Sequence, residues 1–89
     1  MPYEVRFTAT ASRDLHAVPP RIVPAIIEFA FGELARAPRR VGKPLQRELT
    51  GASSARRGPY RLLYRVEDDA QRVDILRIDH RAEVYGPAG

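Results

Sequence analysis

Apolar and polar positions alternate at the start of the chain, Tyr3, Val5 and Phe7 against Glu4 and Arg6, with Thr8 following. A period of two over β-forming residues predicts a first strand with Tyr3, Val5 and Phe7 inward. The period then lengthens. From about Ala9 to Val18, Ala11, Leu15 and Val18 share one side of a short helix. Thr8 or Thr10 is its expected N-cap, and Asp14 is placed near the positive end of the helix dipole. Pro19-Pro20 stops this helix, and the second proline suits the first turn of another. The next helix is predicted to run to about Arg36, with Pro24 early enough to be tolerated. Its stripe of Ile22, Val23, Ile26, Ile27, Phe29, Ala30 and Leu34 is broad enough to face both a sheet and the first helix.

Ala37-Pro38 ends that helix, and a basic connector follows through Gly42 and Pro44. Leu45, Leu49 and Gly51 suggest a helical turn from Pro44 to Leu49 closed by a glycine. Ser53 to Arg57 fits a brief strand, and Gly58-Pro59 is a turn signal. The strongest strand is Tyr60 to Val66, with Tyr60, Leu62, Tyr64 and Val66 on one face and Arg61, Leu63 and Arg65 on the other. A polar hairpin loop, Glu67 to Gln71, returns the chain antiparallel through Val73 to Ile78. No internal repeat, low-complexity tract or linker interrupts this order. The order β-α-α-β-β-β predicts one α+β domain over residues 1–89, a two-helix hairpin packed on one face of a small, mostly antiparallel sheet. Helices on one face leave Arg61 and Arg65 on the other. There Arg61 is expected to gather with Arg56, Arg57, His80 and Arg81 into a basic concave surface with a phenol at its rim.

Composition narrows the chemistry. A chain of 89 residues buries only roughly 60–65% of its unfolded surface, enough for one sheet and one or two helices. With 44% hydrophobic residues it is an ordinary globular chain, and with no cysteine it has no disulfide framework or thiolate metal site. His16 and His80 are far apart in sequence, so a zinc site is not expected, and His16 reads as structural. No run approaches the ~18 apolar residues of a membrane span, and no signal-peptide pattern opens the chain, which leaves a cytoplasmic protein as the expectation.

Charge is uneven. The net +4 comes almost wholly from arginine, Lys43 being the only lysine. Between Arg36 and Arg61 eight basic residues meet one acid, Glu48, so this segment carries +7 and the rest −3. A concentrated basic surface suggests an anionic partner, nucleic acid or an acidic protein. Arginine's bidentate fit to phosphate and its stacking on bases favour RNA. The competing reading is a solvated surface in which arginine replaces lysine.

Candidate chemistry lies in Asp79-His80-Arg81-Ala82-Glu83-Val84-Tyr85, which leaves the last strand with an imidazole, a fixed cation and a phenol. These groups suffice for proton transfer at a phosphate without a metal. The plainer reading has Tyr85 packing and His80-Arg81 ending a strand. For Arg61 the plainer reading is a cross-strand partner for Asp74, and Tyr60 and Tyr64 read as core residues.

The chain resembles the RelE/ParE superfamily of bacterial toxins from type II toxin–antitoxin modules. The residues that carry this are Tyr3-x-Val5-x-Phe7-Thr8, Ala11-x-x-Asp14-Leu15, Gly42-Lys43-Pro44-Leu45 with Leu49-x-Gly51, Gly58-Pro59-Tyr60-Arg61-Leu62-Leu63-Tyr64, Asp68-Asp69 and His80-Arg81-x-x-x-Tyr85. The nearest branch looks like the mycobacterial-type RelE toxins, which cut messenger RNA. The resemblance implies that Arg61 contacts the scissile phosphate and that Arg81 serves the leaving group and developing charge. It gives Tyr85 proton transfer or stacking on the cleaved base, and makes Lys43 and Arg47 phosphate-binding, beside Arg56 and Arg57. Where some members carry further basic residues before the last motif, this chain has Asp79 and His80, so His80 rather than Tyr85 can be the base. Only residues 86–89 follow Tyr85, so the C-terminal helix of many members is expected to be absent or vestigial. The implied activity is a metal-independent, cofactor-free endoribonuclease acting on messenger RNA at the ribosome. The implied partner is an antitoxin with an acidic segment, in a complex of two toxins and two antitoxins. The alternatives are a ParE-like inhibitor of DNA gyrase and, more weakly, an RNA-binding module without activity.

Overall fold

The computed structural model describes residues 2–46 and 50–80. Strand β1 (Glu4–Phe7) leads into α1 (Ala9–His16), then α2 (Val23–Phe29), which continues into a π-helical turn (Ala30–Leu34). A short α3 (Pro38–Val41) precedes β2 (Lys43–Pro44), β3 (Ser53–Arg57), β4 (Tyr60–Glu67) and β5 (Arg72–His80). The five strands form one sheet in the order β1-β5-β4-β3-β2, with β1 parallel to β5 and every other pair antiparallel. The predicted α+β architecture is therefore observed, with one short strand and one short helix added.

The core follows the predicted stripes. Ala11, Val18, Ile26, Phe29, Ala30 and Leu34 from the helical layer meet Val5, Ala55, Tyr60, Leu62, Tyr64, Val73, Ile75 and Ile78 from the sheet. Tyr60 and Tyr64 are core residues, and His16 lies exposed at the end of α1. The π-helical turn keeps Ala30 and Leu34 fully buried while Phe31, 53% exposed, rests against Phe7 at 6.0 Å between ring centroids.

Several boundaries differ from the sequence reading. The second helix starts at Val23 rather than Pro20, because the Pro19 carbonyl accepts from the N–H groups of Ile22 and Val23 and closes a turn first. Pro24 then occupies the first helical turn, where its missing N–H costs nothing. No helical turn begins at Pro44: Lys43 and Pro44 pair with Ser54 and Ser53 as β2, and the helical turn lies earlier, at Pro38–Val41. Residues 47–49 of the expected turn lie outside the described residues.

Asp14 has a different job from the one expected. Thr8 caps α1, its Oγ1 accepting from the Ala11 N–H at 3.1 Å. Asp14 sits in the second turn of α1, and its Oδ2 accepts the backbone N–H of Ile78 at 2.9 Å. β1 stops at Phe7 opposite Ile75, so this carboxylate satisfies a donor of β5 that the short strand does not reach. Beside it, the pairing of β4 with β5 slips by one residue: Leu63 opposes Arg77, but Tyr64 opposes Ile75, leaving Leu76 as a bulge. The extra residue explains the apolar doublet Ile75-Leu76, because it lets Ile75 and Ile78 both face the core. Thr8 steadies the bulge, its N–H donating to the Ile75 carbonyl and its hydroxyl to the Leu76 carbonyl. No helix among the described residues is long and apolar enough to cross a membrane.

Candidate functional site

The site is built on the β3–β4 hairpin. Gly58, with φ +61°, supplies the first position of the two-residue turn Gly58-Pro59, a conformation that glycine adopts without strain. That turn fixes the register, setting Arg57 opposite Tyr60 and Arg56 opposite Arg61. Across β4, Arg61 faces Asp79 and Tyr60 faces His80. Directly opposed residues share a face, and successive residues alternate.

Two surfaces follow from this register. Arg56, Arg61 and Asp79 lie on the outer face, away from the helices, as does Lys43, which opposes Ser54 on β3. Val41, Lys43, Ser54, Ala55, Arg56 and Arg61 line a concavity of about 480 Å³ at the β3–β2 edge of the sheet, where these cations meet Val41 and Ala55 from the core side. Arg57, Tyr60 and His80 form the next row and belong to the helix side. The His80 ring meets the edge of Tyr60 at 5.1 Å and 82°, and borders a separate hollow of about 350 Å³ with Asp14, Ala17 and Val18.

The sheet therefore lies between His80 and Arg61. The expected gathering of Arg61 with Arg56 is present, and Lys43 joins them; that of Arg61 with Arg57 and His80 on one face is not. The expectation failed because strand alternation was not applied to Arg56 and Arg57, which point to opposite faces of the strand read there, and because the last strand was ended at Ile78, whereas β5 extends through His80. Arg47, Arg81 and Tyr85 lie outside the described residues. The alternative partner for Arg61 is also corrected. Asp74 opposes Arg65 and is held by Arg72, at 3.0 Å to Oδ1 and 3.3 Å to Oδ2.

Arg56 and Arg61, directly opposed across β3 and β4, bring two guanidiniums together on one face of the sheet. Asp79, opposite Arg61, accepts from Arg77 at 2.8 Å. Planar guanidiniums flanking a concavity suit a phosphodiester, whose oxygens accept two parallel hydrogen bonds.

The connector carrying Lys43 is anchored by residues that sequence reasoning had assigned only to core or loop. The Tyr64 hydroxyl donates to the Pro38 carbonyl from a fully buried position, and burial pushes this phenol up to about 12. Asp68, in the β4–β5 loop, accepts from Arg39 of α3 and from the Tyr3 hydroxyl. Both contacts hold its carboxyl below its usual value, Arg39 first, and the bond to Asp68 raises the Tyr3 phenol. The Asp68-Asp69 doublet was the available signal. Among the described residues, no group of three or more His, Asp or Glu side chains is placed to hold a metal ion.

Residues 5–85 match the sequence profile described as the ParE toxin of type II toxin–antitoxin systems. The chain is 67% identical over 85 residues to "Toxin RelG" of Mycobacterium tuberculosis, covering 96% of this chain and 98% of that one. It is 49% identical over 84 residues to "Toxin RelE" of the same organism, covering 94% and 87%. The fold superposes on the toxin–antitoxin complex RelBE2 of M. tuberculosis with a TM-score of 0.89 at 67% identity, covering 92% of this chain and 94% of that one. With the profile spanning nearly the whole chain and these relatives covered end to end, the protein belongs to the ParE toxin family of type II toxin–antitoxin systems, as a RelE-like member of the RelE/ParE superfamily.

Proposed function

We propose that this toxin is a metal-independent endoribonuclease that cleaves messenger RNA on the ribosome and so inhibits translation and growth. The observation that carries the reading is the Arg56–Arg61 pair, which lines the concavity with Lys43. RNA brings its own nucleophile, so the protein need only manage charge and protons. The 2′-hydroxyl loses its proton to a base, its oxygen bonds to phosphorus, and the bond from phosphorus to the 5′-oxygen breaks as that oxygen gains a proton. The products are a 2′,3′-cyclic phosphate and a 5′-hydroxyl. Arg61 holds the scissile phosphate and the charge that grows on it; well-placed donors of this kind typically contribute ~3 kcal/mol each. Arg56, Lys43 and Arg47 hold neighbouring phosphates. By family resemblance, Arg81 serves the leaving oxygen and Tyr85 takes the proton from the 2′-hydroxyl. His80 and Arg61 leave their strands on opposite faces, which supports giving the base to Tyr85 rather than to His80.

The toxin–antitoxin complex whose fold this chain shares supports a cognate antitoxin as partner. An acidic segment that folds on binding would neutralise the outer-face arginines and cover the concavity, in an assembly of two toxins and two antitoxins. Co-purification of the pair checks this.

The name of the matching profile favours a second reading, ParE-like binding to DNA gyrase. Programmed ribosomes incubated with the purified toxin, with messenger ends mapped, separate the two. New ends bearing a cyclic phosphate are expected. Intact messenger together with blocked supercoiling by gyrase would sink the nuclease reading.

A further inference from the structure

Arg65 stands four residues beyond Arg61 on β4 and points to the same outer face, about 13 Å along the strand. It is exposed, and its surroundings differ from those of the other cations on that face. Toward β1 the charges are matched: Arg6 pairs with Glu4 at 3.0 Å and Arg72 with Asp74 at 3.0 Å. Asp74 is the residue opposite Arg65, yet both its oxygens are taken by Arg72. Among the described residues no carboxylate pairs with Arg65.

The Arg65 guanidinium lies instead over Gly51. A methyl group at position 51 would stand 2.8 Å from its Nη1, and the glycine itself has φ +96°. Gly51 belongs to the turn that enters β3, so the side chain leans across β4 toward β3 and away from the carboxylates of β5. The charge is thus carried toward the strand that presents Arg56, extending the positive surface beyond the concavity at Arg61.

We propose that Arg65 is a second phosphate-binding position for single-stranded RNA, taking a phosphodiester separate from the one at Arg61. The proposal rests on the RNA-cleaving reading above. Single-strand binders commonly follow the backbone along a positively charged groove, and β4 supplies such a track on one rigid strand.

The test is binding of a short, fully 2′-O-methylated oligoribonucleotide, which lacks the 2′-hydroxyl nucleophile and stays intact. Anisotropy titrations over a range of salt give affinity and its salt slope for wild type, Arg65→Gln, Arg65→Lys, Arg61→Gln and Arg13→Gln. Arg65→Gln should weaken binding several-fold at low salt and flatten the slope by about 0.7, the share of one phosphate contact on a single strand. Its melting temperature should be unchanged. Arg65→Lys should keep the slope, because an ammonium neutralises a phosphate as well. An unchanged slope in Arg65→Gln, beside a flattened one in Arg61→Gln, would overturn the second position and leave the nuclease reading standing. Slopes unchanged in both would overturn the RNA-binding face and this position with it. Arg13 is exposed on α1, in the helical layer, so a loss there equal to that of Arg65→Gln would mean that only net charge is felt, which also overturns the proposal.

Discussion

Gly42 packs against Tyr64 with no room for a side chain between them: a methyl group at position 42 would stand 1.9 Å from the phenol oxygen. The same phenol donates to the Pro38 carbonyl at 2.5 Å, so one buried side chain touches both ends of α3. Gly42 has an extended backbone, φ −116° and ψ 179°, which any residue adopts. Glycine is required there for space. Lys43 follows it directly, so this contact sets where a candidate phosphate ligand enters the sheet.

Gly42→Ala should therefore destabilise the fold by overpacking. The added methyl also meets the Ser54 backbone oxygen at 2.8 Å, and Ser54 is fixed by its pairing with Lys43 and Leu63. Overpacking of a close-packed site costs about 1–3 kcal/mol. In a chain of this size that lowers the melting temperature by roughly 4–8 °C per kcal/mol. Calorimetry on the variant checks it, and an unchanged melting temperature would mean that α3 shifts freely on the sheet.

Tyr64 gives the fold a pH limit on the alkaline side. Its phenol is raised from 10.0 to about 12, chiefly by burial, while Arg39 pulls it weakly the other way. The folded state keeps the proton that the unfolded chain has already lost between these values. Stability should be intact below pH ~10 and fall as pH rises toward 12, by about 2–3 kcal/mol from this group. Tyr3, raised by its bond to Asp68, adds a slope of the same sign. Urea denaturation at several alkaline pH values should show the fall in wild type and a shallower one in Tyr64→Phe. That variant should also start less stable by ~1–3 kcal/mol, because the Pro38 carbonyl loses its donor.

The sheet's interior was legible because its period is strict: Tyr60, Leu62 and Tyr64 alternate with Arg61, Leu63 and Arg65, and burial follows that alternation. The stripe of the second helix was legible for the same reason. Where the chain departs from a regular period, the reading lost its register. Ile75-Leu76 carried the trace of a bulge, but an apolar doublet in a strand does not reveal which residue is extra. The end of β5 hid the face of His80, since polar residues at a strand end look like loop. Lys43-Pro44 is too short a strand to announce itself, and its pairing depends on Ser53 and Ser54 from beyond the turn. Arg61 and Arg65 were placed on the outer face by the alternation of β4, whereas Lys43 and Arg56 were signalled only by charge density, which carries no register.

Asp14 ties α1 to β5 through one hydrogen bond spanning 64 positions of sequence, and its loss should be felt locally before it is felt globally. Asp14→Ala leaves the Ile78 N–H without its acceptor, at a cost of about 1–3 kcal/mol. Asp14→Asn retains a carbonyl acceptor without the charge and should cost less. Amide exchange supplies the local readout: Ile78 should exchange faster in Asp14→Ala, while the β4 side of the sheet keeps its protection. Uniform acceleration across the sheet would show that Asp14 acts on global stability alone.

The division of labour proposed for Arg61, Tyr85 and His80 can be tested by asking which side chains the chemistry notices. Arg61→Ala and Tyr85→Phe should each lower messenger cleavage by at least about tenfold, equivalent to ~1.4 kcal/mol of transition-state stabilisation. His80 stands with Tyr60 on the helix side of the sheet, so His80→Gln should change the rate by less than about threefold. Its pH–rate profile should keep the shape of the wild type, because removing a group that moves no proton leaves the ionisations of the reaction in place. Single-turnover cleavage on programmed ribosomes, followed across pH, measures all three variants together. If His80→Gln falls as far as Tyr85→Phe and loses a limb of the profile, the base is the imidazole. The sheet face that Arg61 occupies would then not be where the proton leaves the 2′-hydroxyl.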